Sequence, residues 1–260
     1  MHRCYLPPEQ CQSGSLLLTG REAHHALHVL RLGRGDRVVV LDGAGQECLC
    51  KVTEPRREEV RLELIEKRVH AAPLCGFTLL QAIPKGKILE SIIQKATELG
   101  VIRIVPLLSE RVVAHLGSDE RIDKARKWQT VAIEAIKQCG SPWLPTVETP
   151  LSPGAFLARG EAFDLSLVGA LRAGARHPRE YFLSFEKLHH RRPASVSVWV
   201  GPEGDFASEE LDAIESGGAR PITLGPLVLR SETAAVYCLS ILNYELRSPA
   251  TALAGAEGVG

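Results

Sequence analysis

The sequence has no net charge to offer a polyanion: 31 Lys and Arg residues balance 31 Asp and Glu. No global field draws it to nucleic acid, so RNA binding would have to come from local basic patches. It also has no Cys-x-x-Cys pair. Its 7 cysteines (Cys4, Cys11, Cys48, Cys50, Cys75, Cys139, Cys238) are scattered and odd in number. That argues against a disulfide framework or a structural zinc site and for reduced thiols. No apolar run approaches membrane-spanning length, and Pro7, Pro8 and Glu9 stand where a secretory leader needs its apolar core. A soluble, cytoplasmic protein with no membrane partner is expected. No internal repeat is present. What remains is ordinary globular composition, 45% hydrophobic and 24% charged over 260 residues, enough for one large domain or two modest ones.

Residues 1–70 are rich in short alternating runs. Val38–Leu41 enters the turn Asp42-Gly43-Ala44-Gly45, and both Glu47–Val52 and Val60–Ile65 alternate apolar with polar. These predict a small antiparallel barrel or sheet, with only Glu22–Leu32 helical. The texture changes near Pro73. Phe77–Ala82, Ile102–Leu107, Leu165–Val168, Val196–Val200 and Ile222–Leu224 have strand character. Between them, Ile88, Leu89, Ile92, Ile93, Ala96 and Leu99 share a helical face that stops at Gly100. Trp128, Val131, Ala132, Ala135, Ile136 and Cys139 share another that stops at Gly140. Ser208-Glu209-Glu210 opens a helix ending at Gly217-Gly218, with its acids at the favoured end of the macrodipole. Ser231 is placed to cap a last helix carrying Ala235, Leu239, Leu242 and Leu246. Alternating strands and helices predict an α/β fold with a mostly parallel, helix-covered sheet over residues 73–248. The small-residue stretch 249–260 is expected to be disordered.

Two Gly/Pro-punctuated loops carry the chemistry: Gly201-Pro202-Glu203-Gly204-Asp205-Phe206, and Leu224-Gly225-Pro226-Leu227-Val228-Leu229-Arg230-Ser231-Glu232-Thr233. Each follows an apolar run and precedes a helical pattern, which puts both at carboxyl ends of strands, where such sheets bind ligands. Glycine there permits close backbone approach. Taken singly, the first loop reads as a tight turn, the second as a buried connection, and Arg230 with Glu232 as an ion pair and cap. Their conjunction at one sheet edge favours a small, nucleotide-like ligand, and arginine suits a phosphate or a base.

These two segments closely resemble the C-terminal motifs of the bacterial small-subunit ribosomal RNA uridine N3-methyltransferases, in the SPOUT superfamily of knotted methyltransferases. The resemblance extends upstream in order. It takes in Ile83-Pro84-Lys85-Gly86-Lys87, Gln94–Val101 and Pro106-Leu107, then Lys127-Trp128-Gln129 with Ala132–Ala135, and in the first part His24-His25, Val29–Leu32 and Gly35-Asp36. Two departures stand out: Lys137-Gln138-Cys139-Gly140-Ser141 where the family often has Glu-Gln-Ser-Gly-Arg, and Val112 where serine is commoner.

The resemblance implies a PUA-like, RNA-binding β-barrel over residues 1–70. It implies a SPOUT domain with a trefoil knot over 73–248, and a homodimer. Three knot loops would hold S-adenosyl-L-methionine: Leu167, Val168 and Gly169; Val200, Gly201, Pro202, Glu203 and Gly204; and Leu224, Gly225 and Leu229, followed by Ser231, Thr233 and Ala234. No metal is required, because the sulfonium is already an activated methyl donor. The acceptor would be N3 of a uridine in 16S ribosomal RNA or the small subunit. N3 carries a proton at neutral pH, so Arg230 is assigned to stabilise the developing anion or position the base, and Glu232 and Glu203 to act as base or orient Arg230. Capping or ion pairing by either glutamate remains equally open. His25, Arg31, Arg34 and Arg37, with Arg21 and His24 nearby, form the favoured RNA-facing cluster. The runs Arg121–Lys127 and His189–Arg192 are weaker ones. Rival readings are a ribose 2′-O-methyltransferase of the same superfamily and a non-catalytic RNA-binding assembly factor.

Overall fold

The computed structural model describes residues 1–111, 117–172 and 174–247. Val112 and the 249–260 segment expected to be disordered lie outside the described residues. The N-terminal sheet comprises β1 (His2–Tyr5), β2 (Ser15–Thr19), β3 (Arg37–Leu41), β4 (Gln46–Pro55) and β5 (Glu59–Val69), in spatial order β1-β3-β4-β5-β2. Alternation does its work here: Cys48, Cys50 and Val52 of β4 and Val60 and Leu62 of β5 are buried. Cys4 on one edge strand and Leu16 and Leu18 on the other join the same buried cluster, so the sheet curls onto itself. It is not antiparallel throughout, as the sequence pattern predicted. β1 runs parallel to β3, because the intervening residues form a long crossover that carries β2 and a helix.

That helix departs from expectation too. Over the predicted Glu22–Leu32, α1 (Gly20–His24) gives way to a π-turn at His25–Val29. The Leu32 N–H closes back on the Ala26 carbonyl at 2.9 Å, and Arg31 between them has φ 54°. Glycine ordinarily takes this left-handed cap position. Arginine holds it at a cost of roughly 1 kcal/mol.

The second sheet has six parallel strands in the order β11-β9-β10-β6-β7-β8. Its elements are β6 (Gly76–Ala82), α2 (Ile88–Glu98), β7 (Arg103–Leu107), α3 (Ser118–Cys139), β8 (Thr146–Val147), α4 (Pro153–Leu157), β9 (Leu165–Gly169), α5 (Pro178–His189), β10 (Ser195–Val200), α6 (Ser208–Ser216), β11 (Arg220–Ile222) and α7 (Ser231–Arg247). Successive residues serve opposite faces. Phe77, Leu79, Val196 and Val198 pack under α2, α3, α5 and α7 through Ile92, Trp128, Phe182 and Leu239. Leu80, Val105, Val168 and Trp199 meet Phe156, Leu211 and Ile214 of α4 and α6. Because both faces are covered, the strands read as continuous apolar runs.

The short β8, α4 and the whole of α5 are absent from the sequence reading. α5 is set by its start: the His177 Nδ1 accepts from the Arg179 N–H at 3.3 Å, Glu180 accepts the His177 N–H at 3.4 Å, and Pro178 follows the cap. α3 begins at Ser118, well before Trp128. β11 ends at Ile222 rather than reaching Leu224, since Thr223 turns away and donates its N–H to the Arg176 carbonyl at 3.0 Å.

The two sheets are joined at the very segment that departs from the resembled family. The Arg3 guanidinium donates to the Lys137 and Gln138 carbonyls at 3.2 and 3.0 Å. Lys137 Nζ meets Glu22 of α1 at 2.8 Å and Glu134 at 3.0 Å with its side chain only 4% exposed. Lys137–Ser141 is thus a joint between the barrel and the parallel sheet.

Candidate functional site

Strand register builds the site. In β9, β10 and β11, Gly169 pairs with both Val200 and Ile222. Three neighbouring strands therefore end in one row, and their loops leave the carboxyl edge together. Between these loops lies a cavity of about 440 Å³, within the size range of small-ligand sites. Its apolar wall comes from Leu171, Leu224, Leu227, Val228 and Leu229; Glu203, Asp205, Arg172 and Ser231 are its main polar side chains. Arg172 is already neutralised by Asp212 at 2.8 Å and Glu215 at 2.9 Å, so the unmatched charge facing the cavity is acidic.

The floor is held rigidly. The Ser231 hydroxyl donates to the Gly201 carbonyl at 2.7 Å and accepts from Gln81 Nε2 at 2.9 Å. Its side chain thus ties the start of α7 to the loop after β10 and to β6 itself instead of serving as the expected cap. Gly201 has no room for more: a Cβ there would lie 2.8 Å from Asp205 Oδ1 and 3.1 Å from the Phe206 nitrogen. Gly169 is less confined, since an added Cβ would lie in ordinary contact at 3.6 Å from Leu224 Cδ1.

Of the residues expected to bind the cofactor, Gly169, Val200, Gly201, Pro202, Glu203, Leu224, Gly225, Leu229, Ser231 and Ala234 line this cavity. Leu167, Val168, Gly204 and Thr233 do not. Leu167 and Val168 sit inside β9 and are consumed by the two core layers. Gly204 carries a carbonyl that accepts from Arg111, and Thr233 is exposed on α7. Arg230 and Glu232 also fall outside the lining; they flank Ser231, with Arg230 exposed and Glu232 half-buried. The Glu203 carboxylate accepts the Lys85 N–H at 3.1 Å. Leu227 and Val228, inside the expected loop Leu224–Leu229, line the cavity too, whereas the sequence reading missed Leu171, Arg172 and Asp205 as wall residues. Asp205 was legible, lying inside the quoted motif, but Leu171 and Arg172 lie two and three residues past Gly169, beyond the bounds given to that loop.

The basic clusters separate by their partners. Arg31, Arg34 and Arg37 are exposed and have no ion-pair partner among the described residues. On α3, by contrast, Arg126 meets Asp123 at 3.4 Å and Lys127 meets Glu90 at 2.9 Å. Before β10, Arg191 meets Asp164 at 2.7 Å and Arg192 meets Glu186 at 3.1 Å. His25 is half-buried, its Nδ1 enclosed without a hydrogen-bond partner. Arg21 is spoken for by Glu134 at 3.0 Å. Burial pushes the Cys4, Cys50 and Cys238 thiols up to about 12 and Cys75 to about 11, so none of these four is a ready nucleophile. No group of three or more His, Cys, Asp or Glu is placed to hold a metal among the described residues, and no helix there is long and apolar enough to cross a membrane.

Comparison with known proteins places this geometry. Residues 71–243 match the family model described as an RNA methyltransferase domain, and residues 18–65 match an RNA methyltransferase PUA domain. The chain is 31% identical to the ribosomal RNA small subunit methyltransferase E of a Synechocystis strain, over 95% of this chain and 78% of the relative. It is 29% identical to the protein of that name from Bacillus subtilis, over 88% and 89% respectively. Among solved structures, a Legionella pneumophila protein described as a methyltransferase, in complex with the bound cofactor SAM, superposes with a TM-score of 0.84. That match has 30% identity and covers 93% of this chain and 96% of the other.

Proposed function

We propose, since the chain belongs to the RNA methyltransferase family that includes ribosomal RNA small subunit methyltransferase E, that it transfers a methyl group from S-adenosylmethionine to N3 of a uridine in 16S ribosomal RNA. The observation that carries this reading is the row Gly169–Val200–Ile222, which opens three loops onto one cavity. The cavity fits the cofactor chemically. Turned loops present backbone amides and carbonyls to an adenine edge, and Leu224 and Leu229 supply apolar walls for its ring. The carboxylates of Glu203 and Asp205 complement a sulfonium cation. When bound, the cofactor supplies an activated methyl; the protein supplies approach geometry and charge.

The acceptor nitrogen must lose its proton. Arg230, exposed beside Ser231 and without an ion-pair partner among the described residues, is free to face the anion that develops on the pyrimidine. Glu232 orients it or takes the proton. Glu203 is less available for proton transfer, because its carboxylate holds the Lys85 N–H. N3 lies on the Watson–Crick edge, so the target nucleotide enters unpaired or extruded from its stack. The barrel presents RNA through Arg31, Arg34 and Arg37.

A trefoil knot and a homodimer belong to the same proposal. The return of the chain from the β11 edge as α7 packed against β6 and β10 supports this reading. Leu227 and Val228 at the cavity and Tyr237 and Tyr244 on α7 are exposed and would be covered in a dimer. The site of action is the cytoplasm, where small subunits are assembled.

The test incubates the purified protein with methyl-labelled cofactor and undermethylated small subunits, then maps the label by nuclease digestion and mass spectrometry. Label on uridine N3 is expected. Label on a ribose 2′-oxygen would replace the reading with the ribose-methylating alternative. No titration heat with S-adenosylhomocysteine would leave only a non-catalytic RNA-binding role.

A further inference from the structure

The loops after β6, β7 and β10 also leave the sheet side by side, because those strands are neighbours. Acidic side chains lace them together. Glu203 accepts the Lys85 N–H at 3.1 Å. Glu210 takes the Glu110 N–H at 3.0 Å with one oxygen and the Ala207 N–H at 3.1 Å with the other. Asp205 accepts from the Phe206 N–H at 2.8 Å and the Leu171 N–H at 3.4 Å. These carboxylates are occupied by backbone. The cations of the same loops are not matched in return. Lys85 and Lys87 are exposed and have no ion-pair partner among the described residues, while Arg111 makes no ion pair there and donates to the Gly204 carbonyl.

We infer that Lys85, Lys87 and Arg111 grip the phosphodiester backbone of the RNA strand immediately beside the nucleotide that enters the cavity. This rests on the RNA-methyltransferase reading and adds to it a second RNA contact, on the parallel-sheet domain rather than the barrel. Glu203 makes the placement specific: one residue both lines the cavity and holds the lysine loop, so a phosphate seated on that loop lies next to the methyl-transfer site. A row of unpaired cations calls for a ligand with repeated negative charge, which an RNA backbone provides. The basic runs on α3 and before β10 lack this property because their own carboxylates neutralise them.

The test is the salt dependence of binding to a small-subunit ribosomal RNA fragment, for the wild-type protein and for Lys85→Gln/Lys87→Gln. Neither lysine side chain holds structure, so titration with S-adenosylhomocysteine is expected to be unchanged. The slope of log Kd against log salt should shrink by about 1.4, at about 0.7 per phosphate contact on a single strand, and Lys85→Arg/Lys87→Arg should restore it. An unchanged slope in a double variant that still binds the cofactor overturns the inference while leaving the methyltransferase reading intact. A wild-type protein that binds neither this fragment nor undermethylated small subunits overturns both.

Discussion

Lys137→Met tests the joint between the two sheets. The Lys137 ammonium lies 2.8 Å from Glu22 and 3.0 Å from Glu134, and its side chain is 4% exposed against 14% for Glu22. Methionine keeps the length and the apolar stem but strands the Glu22 carboxylate, whose other oxygen accepts only the Tyr5 N–H at 3.0 Å. Removing one member of a buried pair costs about 3–5 kcal/mol. Glu134 adds little, since it is 40% exposed and also meets Arg21; an exposed pair contributes about 0–1 kcal/mol. The expected loss is therefore about 3 kcal/mol, or a fall in Tm of about 6–12 °C at roughly 2–4 °C per kcal/mol. Lys137→Met/Glu22→Gln removes both charges and should recover most of that loss. Thermal and urea melts of the wild type, both single variants and the double close the cycle, with a coupling expected to exceed about 2 kcal/mol by the cost of Glu22→Gln alone. Because α1 runs into the turn that carries Arg31, Lys137→Met should also raise KM for ribosomal RNA more than it lowers kcat. A single-variant cost under about 0.5 kcal/mol, or a double variant as unstable as the summed singles, would refute the reasoning.

Three further outcomes follow from the site and the fold. Arg230→Ala should lower kcat by about 10²–10³ if the guanidinium faces developing charge, with cofactor affinity by calorimetry nearly unchanged; loss of cofactor binding alone would assign Arg230 to the pocket instead. Gly201→Ala forces a Cβ to 2.8 Å from Asp205 Oδ1 and against backbone at 3.1 Å. The resulting loop shift should weaken cofactor binding at least tenfold, about 1.4 kcal/mol, and an affinity equal to wild type would show that this loop is not the cradle. Asp164 accepts from both Nη atoms of Arg191 at 2.7 and 2.8 Å, and this pairing holds its carboxyl down to about 2. Its folded value lies below the unfolded one of about 3.9, so its stabilisation is present above about pH 4 and is lost as pH falls toward 2. Asp164→Asn should be less stable than wild type at pH 7, with the gap closing between about pH 4 and 2 in urea melts; parallel curves would count against the pairing.

Local patterning was enough to predict the alternation of strands and helices, the stops at Gly100 and Gly140, and the two Gly/Pro loops. Each depends on residues close together in the chain. The same patterning missed α5, whose start rests on a histidine cap, and the π-turn closed by a left-handed Arg31, since neither belongs to the usual vocabulary of caps. Of the expected cofactor loop at Leu167–Gly169, only Gly169 lines the cavity, because a strand covered on both faces consumes its other side chains in packing.

From the sequence alone came the period of each element and the chemistry available at its ends. Only the tertiary structure decided that Gly169, Val200 and Ile222 stand in one row, that Ser231 binds Gly201 and Gln81, and that Lys137 sits buried between Glu22 and Glu134. Such contacts join residues far apart in the chain. Their geometry is set by how whole layers pack, which no local run of residues encodes.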